Sequence, residues 1–126
     1  MRSFLTAIYL LLSANIASAD WHTYGRVYSR EFPDLRGQYK INVQIDSGGV
    51  WIGRCGGMLA NLDGTYDVTC SPGFNVFGGK RVAVFHRLGD GKCHIKLLEG
   101  VDEKHVDIEI SSSDEKTVYG CLDDKY

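Results

Sequence analysis

The chain has 126 residues, 44% of them hydrophobic, and its 14 basic and 16 acidic side chains leave a formal net charge of −2. This length suits one domain with a modest core, and such a mild acidic balance gives no electrostatic attraction toward nucleic acid or anionic membranes. We therefore expect no nucleic-acid partner. After residue 20 no apolar run approaches the roughly 20 residues that a membrane span needs.

The first residues have the pattern of a secretory signal peptide. Arg2 precedes a mostly apolar run over residues 4–12, and Ala17-Ser18-Ala19 is a small-residue cleavage site. The apolar run is too short to cross about 30 Å of hydrocarbon, which disfavours a membrane anchor. We expect residues 1–19 to be a signal peptide and residues 20–126 to be a single secreted β domain. Arg2 is the one charged residue lost with the leader, so the mature chain carries a net charge of −3.

All four cysteines lie beyond the leader, at Cys55, Cys70, Cys93 and Cys121. An even number of cysteines in a small exported chain predicts a disulfide framework. The spacings contain no Cys-x-x-Cys, which disfavours a zinc site, and we expect no metal and no cofactor. Among the possible pairings we favour Cys55 with Cys70 and Cys93 with Cys121, because each bond would join neighbouring strands.

The first half of the domain is predicted to form strands between glycine-rich turns. Residues 21–29 are rich in β-favouring side chains, and residues 31–37 interrupt them with a proline and a closing glycine. Residues 38–46 alternate most cleanly and place four apolar side chains on one face: Tyr39, Ile41, Val43 and Ile45. Residues 50–55 return as a hairpin arm, which Gly56 and Gly57 are expected to end or bend.

The middle of the domain is predicted to hold a short strand and a long loop. For residues 58–62 we favour irregular structure or a strand over one helical turn. Asp63-Gly64 is predicted to be a turn, and residues 65–70 alternate as a strand. The loop over residues 71–79 contains Phe74 and Phe77, which no alternation buries. Exposed aromatic side chains are costly unless they meet a partner, so we expect the interaction site to be either this loop, through Phe74 and Phe77, or an exposed sheet edge.

Residues 80–98 are predicted to be a central β-hairpin that turns at Gly89-Asp90-Gly91. One face of its first arm carries Val82, Val84, His86 and Leu88, and one face of its second arm carries Cys93, Ile95 and Leu97. Residues 106–111 and 117–122 complete the strands, with a polar turn between them. Seven or eight short strands without helical periodicity predict an all-β fold, a small antiparallel β-sandwich or barrel stabilised by two disulfides.

The four histidines are candidates for acid–base chemistry. His86 and His94 lie on facing arms of the hairpin, and with nearby cations they could act on a phosphodiester. The strand pattern favours ordinary strand histidines instead, and His94 is out of phase with Cys93 and Ile95, which predicts that it faces solvent. We expect His22 and His105 to be surface residues.

No sequence motif predicts a catalytic residue: Gly-x-Ser-x-Gly, His-Glu-x-x-His, a P-loop and an EF-hand are all missing from the sequence. One acidic cluster is expected to be a solvated strand edge: Asp102, Glu103, Asp107 and Glu109. A basic and aromatic stretch suits a nucleic-acid surface, which the net charge disfavours: Arg26, Arg30 and Arg36 with Tyr24, Tyr28 and Phe32.

The leader ending Ala17-Ser18-Ala19, the short mature chain, two expected disulfides and short strands resemble the small secreted cysteine-containing fungal effectors. That class acts on host plants during infection. The resemblance implies disulfides that stabilise the fold outside the cell, and a place of action in the host apoplast or the host cytoplasm. It also implies recognition of a host protein without catalysis. An antimicrobial protein is less attractive, because the net charge is negative.

A fainter resemblance is to the fungal guanyl-preferring ribonucleases and the ribonuclease-like effectors. Residues 81–85, His94 and Cys121 follow the order of the later strands of those proteins. The resemblance implies a ribonuclease-like enzyme, or its inactive descendant, with Arg81 and His94 at the site. Those enzymes also place a catalytic Glu and a histidine on earlier strands and contain a helix, and this sequence has no clear equivalent. We therefore expect a binding protein rather than an enzyme.

Overall fold

The computed structural model describes residues 21–47, 54–71 and 80–126. It contains β1 (Trp21–Tyr28), β2 (Asn42–Ser47), β3 (Arg54–Leu59), β4 (Thr65–Cys70), β5 (Lys80–His86), β6 (His94–Glu99), β7 (Ile108–Glu109) and β8 (Glu115–Lys116). These ranges contain no helix that is long and apolar enough to cross a membrane. Phe74, Phe77 and the first residues of the predicted strand 50–55 lie outside the described residues.

The strands form two sheets. The three-stranded sheet has the order β4-β1-β7, and the five-stranded sheet has the order β3-β2-β5-β6-β8. All strand pairs are antiparallel except β1 with β7, which run parallel. The all-β sandwich that the alternation predicted is confirmed.

The hydrophobic core lies between the inner faces of the two sheets. The three-stranded sheet contributes Val27, Tyr66, Val68 and Ile108, and the five-stranded sheet contributes Val43, Ile45, Val82 and Val84. In each strand the intervening residues point outward, as a two-layer sandwich requires. Burial of these apolar side chains is the main favourable contribution to the folding free energy.

Strand β5 is buried on both faces, because a later segment of the chain covers its outer side. Val82, Val84 and His86 point toward the three-stranded sheet. On the outer face, Ala83 and Phe85 form a second, smaller cluster with Cys93, Ile95 and Cys121. The five-stranded sheet therefore has apolar groups on both sides around β5.

The prediction that His94 faces solvent is wrong. His94 is the register partner of His86, so both imidazoles point inward, and each is 0% exposed. Cys93 and Ile95, which are out of phase with His94, lie on the covered outer face instead. Alternation along β6 correctly separates His94 from Cys93 and Ile95. It does not tell which of the two faces is the inner one, because both are partly covered.

Several strand boundaries differ from the prediction. The strand predicted over residues 38–46 is observed as β2, which begins only at Asn42. Gly56 and Gly57, which were expected to end or bend the strand, lie within β3, and the register of β3 against β2 shifts beside Gly56. A Cβ on Gly56 would lie 3.0 Å from the Cβ of Cys70, so the glycine lets β3 approach β4 closely. The predicted strand 106–111 is reduced to the two residues of β7, and residues 117–122 form no strand: the last strand is β8, just before them.

Both disulfides have the pairing that the sequence favoured. Cys55–Cys70 connects β3 to β4, and so joins one sheet to the other. Cys93–Cys121 ties the residue before β6 to the segment that follows β8. Each bond restricts the unfolded chain and is worth about 3 kcal/mol in the chain-entropy description.

Candidate functional site

Exposed apolar side chains lie on the outer face of the five-stranded sheet and on the segment that follows β8. Val118 is 99% exposed, Tyr119 is 67% exposed and Leu97 is 39% exposed. The Tyr119 ring lies 5.9 Å from the Phe85 ring, Phe85 faces Ile95 across the ladder, and Leu97 follows two residues later on the same face. We refer to Ile95, Leu97, Val118 and Tyr119 as the Tyr119 patch.

The segment that presents Val118 and Tyr119 is held from several directions. The Thr117 amide donates to the Cys93 carbonyl oxygen at 3.0 Å, and the Asn42 side chain donates to the Gly120 carbonyl oxygen at 2.9 Å. The Cys93–Cys121 disulfide closes its far end. A segment already fixed in this way loses little conformational entropy when a partner binds it.

Gly120 lets this segment lie flat against the sheet. Its φ of +96° is in the left-handed region, and a Cβ there would lie 2.3 Å from the Phe85 ring. The ring of Phe85 therefore supports the backbone of the loop from below. The Tyr119 ring is tilted by 52° relative to the Phe85 ring.

A salt bridge borders the Tyr119 patch. The Arg81 guanidinium donates to the Asp46 carboxylate at 2.7 and 3.2 Å, and one of its nitrogens lies 3.8 Å from Glu99. The hydrogen bond from Arg81 to Asp46 is the main cause that raises the pKa of Arg81. An apolar centre beside a polar border is the usual anatomy of a protein-binding surface.

The structure does not bring together the two residues that the ribonuclease resemblance implied. Arg81 lies on the outer face with Asp46, whereas His94 is buried on the inner face. The imidazole Nε2 of His94 bonds to the Asp90 carboxylate at 2.9 Å, and Nε2 of His86 donates to Asp114 at 2.8 Å. These histidines are occupied inside the fold, and Arg81 and His94 form no common site.

The other two histidines lie at the surface of the three-stranded sheet, as predicted. His22 bonds to Asp67 at 2.7 Å and His105 bonds to Asp107 at 3.2 Å. The Tyr24 ring stacks on His105, with centroids 5.1 Å apart and planes 2° apart. Each imidazole has a carboxylate partner on the surface. Among the described residues, no group of three or more His, Cys, Asp or Glu side chains is arranged to hold a metal ion.

Part of the basic and aromatic stretch lines a groove of about 640 Å³ at the end of β1, namely Arg26, Tyr28, Phe32 and Arg36. Its arginines do not form a continuous cationic strip. Arg26 donates to the Asp63 carbonyl oxygen at 2.9 Å, and Arg30 pairs with Glu109 at 3.3 Å. The acidic cluster is therefore partly engaged: Glu109 holds Arg30, and Asp107 accepts from the Arg26 amide.

Sequence reasoning missed Val118 and Tyr119, which it placed in a strand over residues 117–122. Two consecutive apolar residues followed by Gly120 do not alternate, and that was the local signal against a strand with a single buried face. What places them outside is the Cys93–Cys121 bond, which turns the segment back over β5.

No protein-family description and no curated protein sequence matches this chain. Among solved structures, it is similar to a 9R-lipoxygenase from Cyanothece PCC8801, with 14% sequence identity and a TM-score of 0.45. The match covers 72% of this chain, which spans 16% of the lipoxygenase chain. A similarity of this size assigns no activity to the chain.

Proposed function

We propose that this chain is a secreted, disulfide-stabilised β-sandwich that acts by binding a host protein during infection and catalyses no reaction. The observation that carries the proposal is the exposure of Val118 and Tyr119, 99% and 67%, on a segment closed by a disulfide. Tyrosine is one of the residue types that most often dominate the binding energy of a protein interface. A fixed tyrosine with an aliphatic neighbour suits insertion into a pocket of the partner.

Export agrees with the distribution of the strands. β1 begins at Trp21, so cleavage after Ala19 would leave every described strand in the mature protein. Both disulfides suit an oxidising compartment. When the full chain is expressed in a secreting eukaryotic cell, mass spectrometry of the medium should find a protein that begins at Asp20 with no free thiol. Retention of the leader, or four reactive thiols, would contradict the secretory part of the proposal.

The Tyr119 patch is tested by site-specific cross-linking followed by a direct affinity measurement. Benzoylphenylalanine in place of Val118 would be photo-activated in plant apoplastic fluid and in leaf cytosol, and the cross-linked protein identified and purified. Its affinity would then be measured for the wild type and for V118A/Y119A. Loss of two central contact residues should weaken binding at least about 30-fold, since residues of this kind contribute about 2 kcal/mol or more.

The matched control is Y24A/L62A, which removes a tyrosine and an aliphatic side chain that are also exposed, 40% and 47%. Tyr24 is on the three-stranded sheet and Leu62 is in the turn after β3, so neither belongs to the Tyr119 patch. We expect this variant to bind like the wild type. Equal weakening by both double variants, or none by V118A/Y119A, would overturn the patch as the binding site.

The absence of catalysis is tested with RNA, since the fainter resemblance was to ribonucleases. Purified wild-type protein should leave single-stranded RNA intact at neutral pH. His94 is unsuitable for the comparison, because its replacement would disturb the core. RNA cleavage that copurifies with the wild type and disappears in Arg81→Ala would instead support the ribonuclease alternative.

A further inference from the structure

We propose that the open edge of β6 takes up an extended segment of the partner as an added β-strand, with an acidic residue placed opposite Lys96. The inference rests on the proposed function in one respect, namely that the partner is a protein. It adds the mode of recognition, main-chain hydrogen bonding along a sheet edge, to the side-chain contacts of the Tyr119 patch.

The two sides of the sandwich end differently. On one side β3 and β4 are the outer strands of their sheets, and the Cys55–Cys70 bond joins them. On the other side β8 covers β6 over a short distance, since its two residues pair only with His94 and Ile95. From Lys96 to Glu99, no described strand lies beside that edge of β6.

The backbone groups that face this edge follow from a single hydrogen bond. The Thr117 amide donates to the Cys93 carbonyl oxygen at 3.0 Å, so the peptide groups of Cys93 point toward β8. Successive residues of a strand direct their backbone groups to opposite sides. Ile95, Leu97 and Glu99 therefore point the same way as Cys93. Beyond the end of β8, Leu97 and Glu99 present two N–H groups and two carbonyl oxygens to the edge.

The side chains at the edge indicate what an added strand should carry. Leu97 is 39% exposed on the outer face and belongs to the Tyr119 patch, so it would meet an apolar side chain. Lys96 points to the opposite face, is partly buried, and has no ion pair among the described residues. An Asp or Glu beside it would supply the missing charge. Because neighbouring residues of a strand face opposite ways, an apolar residue next to an acidic one satisfies both positions.

Lys96 also explains why an open edge is tolerable in the free protein. An inward-pointing charge at an edge discourages pairing with arbitrary strands, including those of a second copy, because the ammonium would be covered without a partner. The same charge becomes a specificity element when the arriving strand carries a carboxylate.

The inference is tested with a capped synthetic peptide, Thr-Val-Asp-Val-Thr, titrated into ¹⁵N-labelled mature protein. In the free protein we expect the amides of Leu97 and Glu99 to exchange rapidly with solvent, while Lys96 and Leu98 are protected by the ladder with β5. Addition of the peptide should shift and protect Leu97 and Glu99. Shifts confined to other surfaces, or none at millimolar peptide, would overturn the inference.

Two substitutions separate the backbone contact from the side-chain contact. Leu97→Pro removes the edge-facing N–H and leaves the β5 ladder intact, and proline is tolerated where a strand edge faces solvent. We expect it to weaken peptide binding at least tenfold, whereas Leu97→Ala, which keeps the N–H, should have a smaller effect. Equal losses in the two variants would contradict main-chain pairing.

A control that leaves the protein unchanged uses N-methylated peptides. Methylation of the peptide amides that face β6 should abolish binding, and methylation of the alternate amides should not. The role of the charge is tested by swapping the two charged residues. Lys96→Glu should not bind the Asp peptide, but it should bind a peptide in which Lys replaces the Asp. Failure of the exchanged pair to bind would remove the acidic residue from the proposal.

The inference about the β6 edge and the proposed function can be contradicted independently of each other. V118A/Y119A keeps the β6 edge and should bind the Asp peptide normally, although it loses the host protein. If the peptide binds nowhere while V118A/Y119A still weakens the host complex, the edge inference is overturned and the proposed function stands. If the peptide binds at Leu97 and Glu99 but V118A/Y119A binds the host protein as tightly as the wild type does, the Tyr119 patch is not the binding site and the edge inference stands.

Discussion

The imidazole rings of His86 and His94 stack in the core, with centroids 5.4 Å apart and planes 16° apart, and neither is exposed. Asp114 serves both rings: its carboxylate accepts from Nε2 of His86 at 2.8 Å, and its carbonyl oxygen accepts from Nδ1 of His94 at 2.9 Å. The pair therefore connects β5 and β6 to the turn that leads into β8.

The hydrogen bonds show which ring nitrogen of His86 carries the proton. The Leu88 amide donates to Nδ1 of His86 at 3.3 Å, so that nitrogen has no proton, and Nε2 donates to Asp114. Both nitrogens of His94, in contrast, face oxygen acceptors, from Asp114 and Asp90. A second proton on His86 would break the bond from Leu88 and place a cation against the His94 ring.

The first prediction concerns the stability of this pair toward acid. Burial lowers the pKa of His86 from its ordinary 6.5, because the charged ring would lose its water; the hydrogen bond to Asp114 acts in the opposite direction but does not compensate. The unfolded chain takes up this proton near the ordinary pKa. The contribution to the free energy of unfolding is therefore complete at about pH 7.5 and falls as the pH drops below about 6.5.

Urea denaturation at about pH 7.5 and 5.5 should show this loss, and His86→Gln should remove most of the difference between the two. The neighbouring carboxylates titrate elsewhere: Glu31 and Asp90 have pKa values below their ordinary 4.5 and 3.8, because of hydrogen bonds from Ser112 and His94 respectively. Their contributions are lost only at lower pH. The control is His22→Gln at the surface. A wild-type stability that is equal at the two pH values would contradict the prediction.

The second prediction separates the roles of the two disulfides. Replacement of either pair by alanine should lower the free energy of unfolding, by about 3 kcal/mol for Cys55–Cys70 and about 3.5 kcal/mol for Cys93–Cys121, because the sequence separations are 15 and 28 residues. Only C93A/C121A should free the loop that carries Tyr119. Limited chymotrypsin digestion should then cleave after Tyr119 in that variant, and C55A/C70A should resist cleavage there. Equal cleavage in both would show that the loop is held by other contacts.

The third prediction compares two glycines with similar backbone angles. Gly120 and Gly37 have φ values of +96° and +80°, but a Cβ on Gly120 would strike the Phe85 ring, whereas nothing lies within 4 Å of one on Gly37. Gly37→Ala should cost about 1 kcal/mol of unfolding free energy from backbone strain alone. Gly120→Ala should cost about 1–3 kcal/mol more, because Phe85 must move. Urea denaturation measures both, and equal losses would contradict the close packing of the loop.

The fourth prediction concerns the last residue of the chain. The hydroxyl of Tyr126 donates to the Ala60 carbonyl oxygen at 2.6 Å and accepts from the Ile41 amide at 3.2 Å. Tyr126→Phe should lower the free energy of unfolding by about 2 kcal/mol, since it leaves two buried backbone groups without a partner. Tyr119→Phe changes an exposed hydroxyl and should have no effect on thermal stability. If the two variants have the same melting temperature, the Tyr126 hydroxyl does not contribute to stability.

Local patterns predicted the elements that depend on neighbouring residues. The strand over residues 65–70 was predicted with its observed bounds, and the turn at Asp63-Gly64 has Gly64 at a φ of +88°. Alternation works there because β4 has one buried and one exposed face. Alternation does not identify the inner face of β6, because the segment after β8 covers the outer face. Ile95 and His94 are therefore both at least partly buried.

By itself the sequence determined the class of the fold and the turns at Asp63-Gly64 and Gly89-Asp90-Gly91, because period-two alternation and turn glycines act over short distances along the chain. The even cysteine count predicted two disulfides but left three pairings open. The tertiary structure alone decided that His94 lies inside, that Tyr119 lies outside and that no described strand pairs with the outer edge of β6 past Ile95. Each of these depends on which distant segment lies beside β6. Strand register and the Cys93–Cys121 bond determine which segment that is, and neither can be predicted from a local sequence pattern.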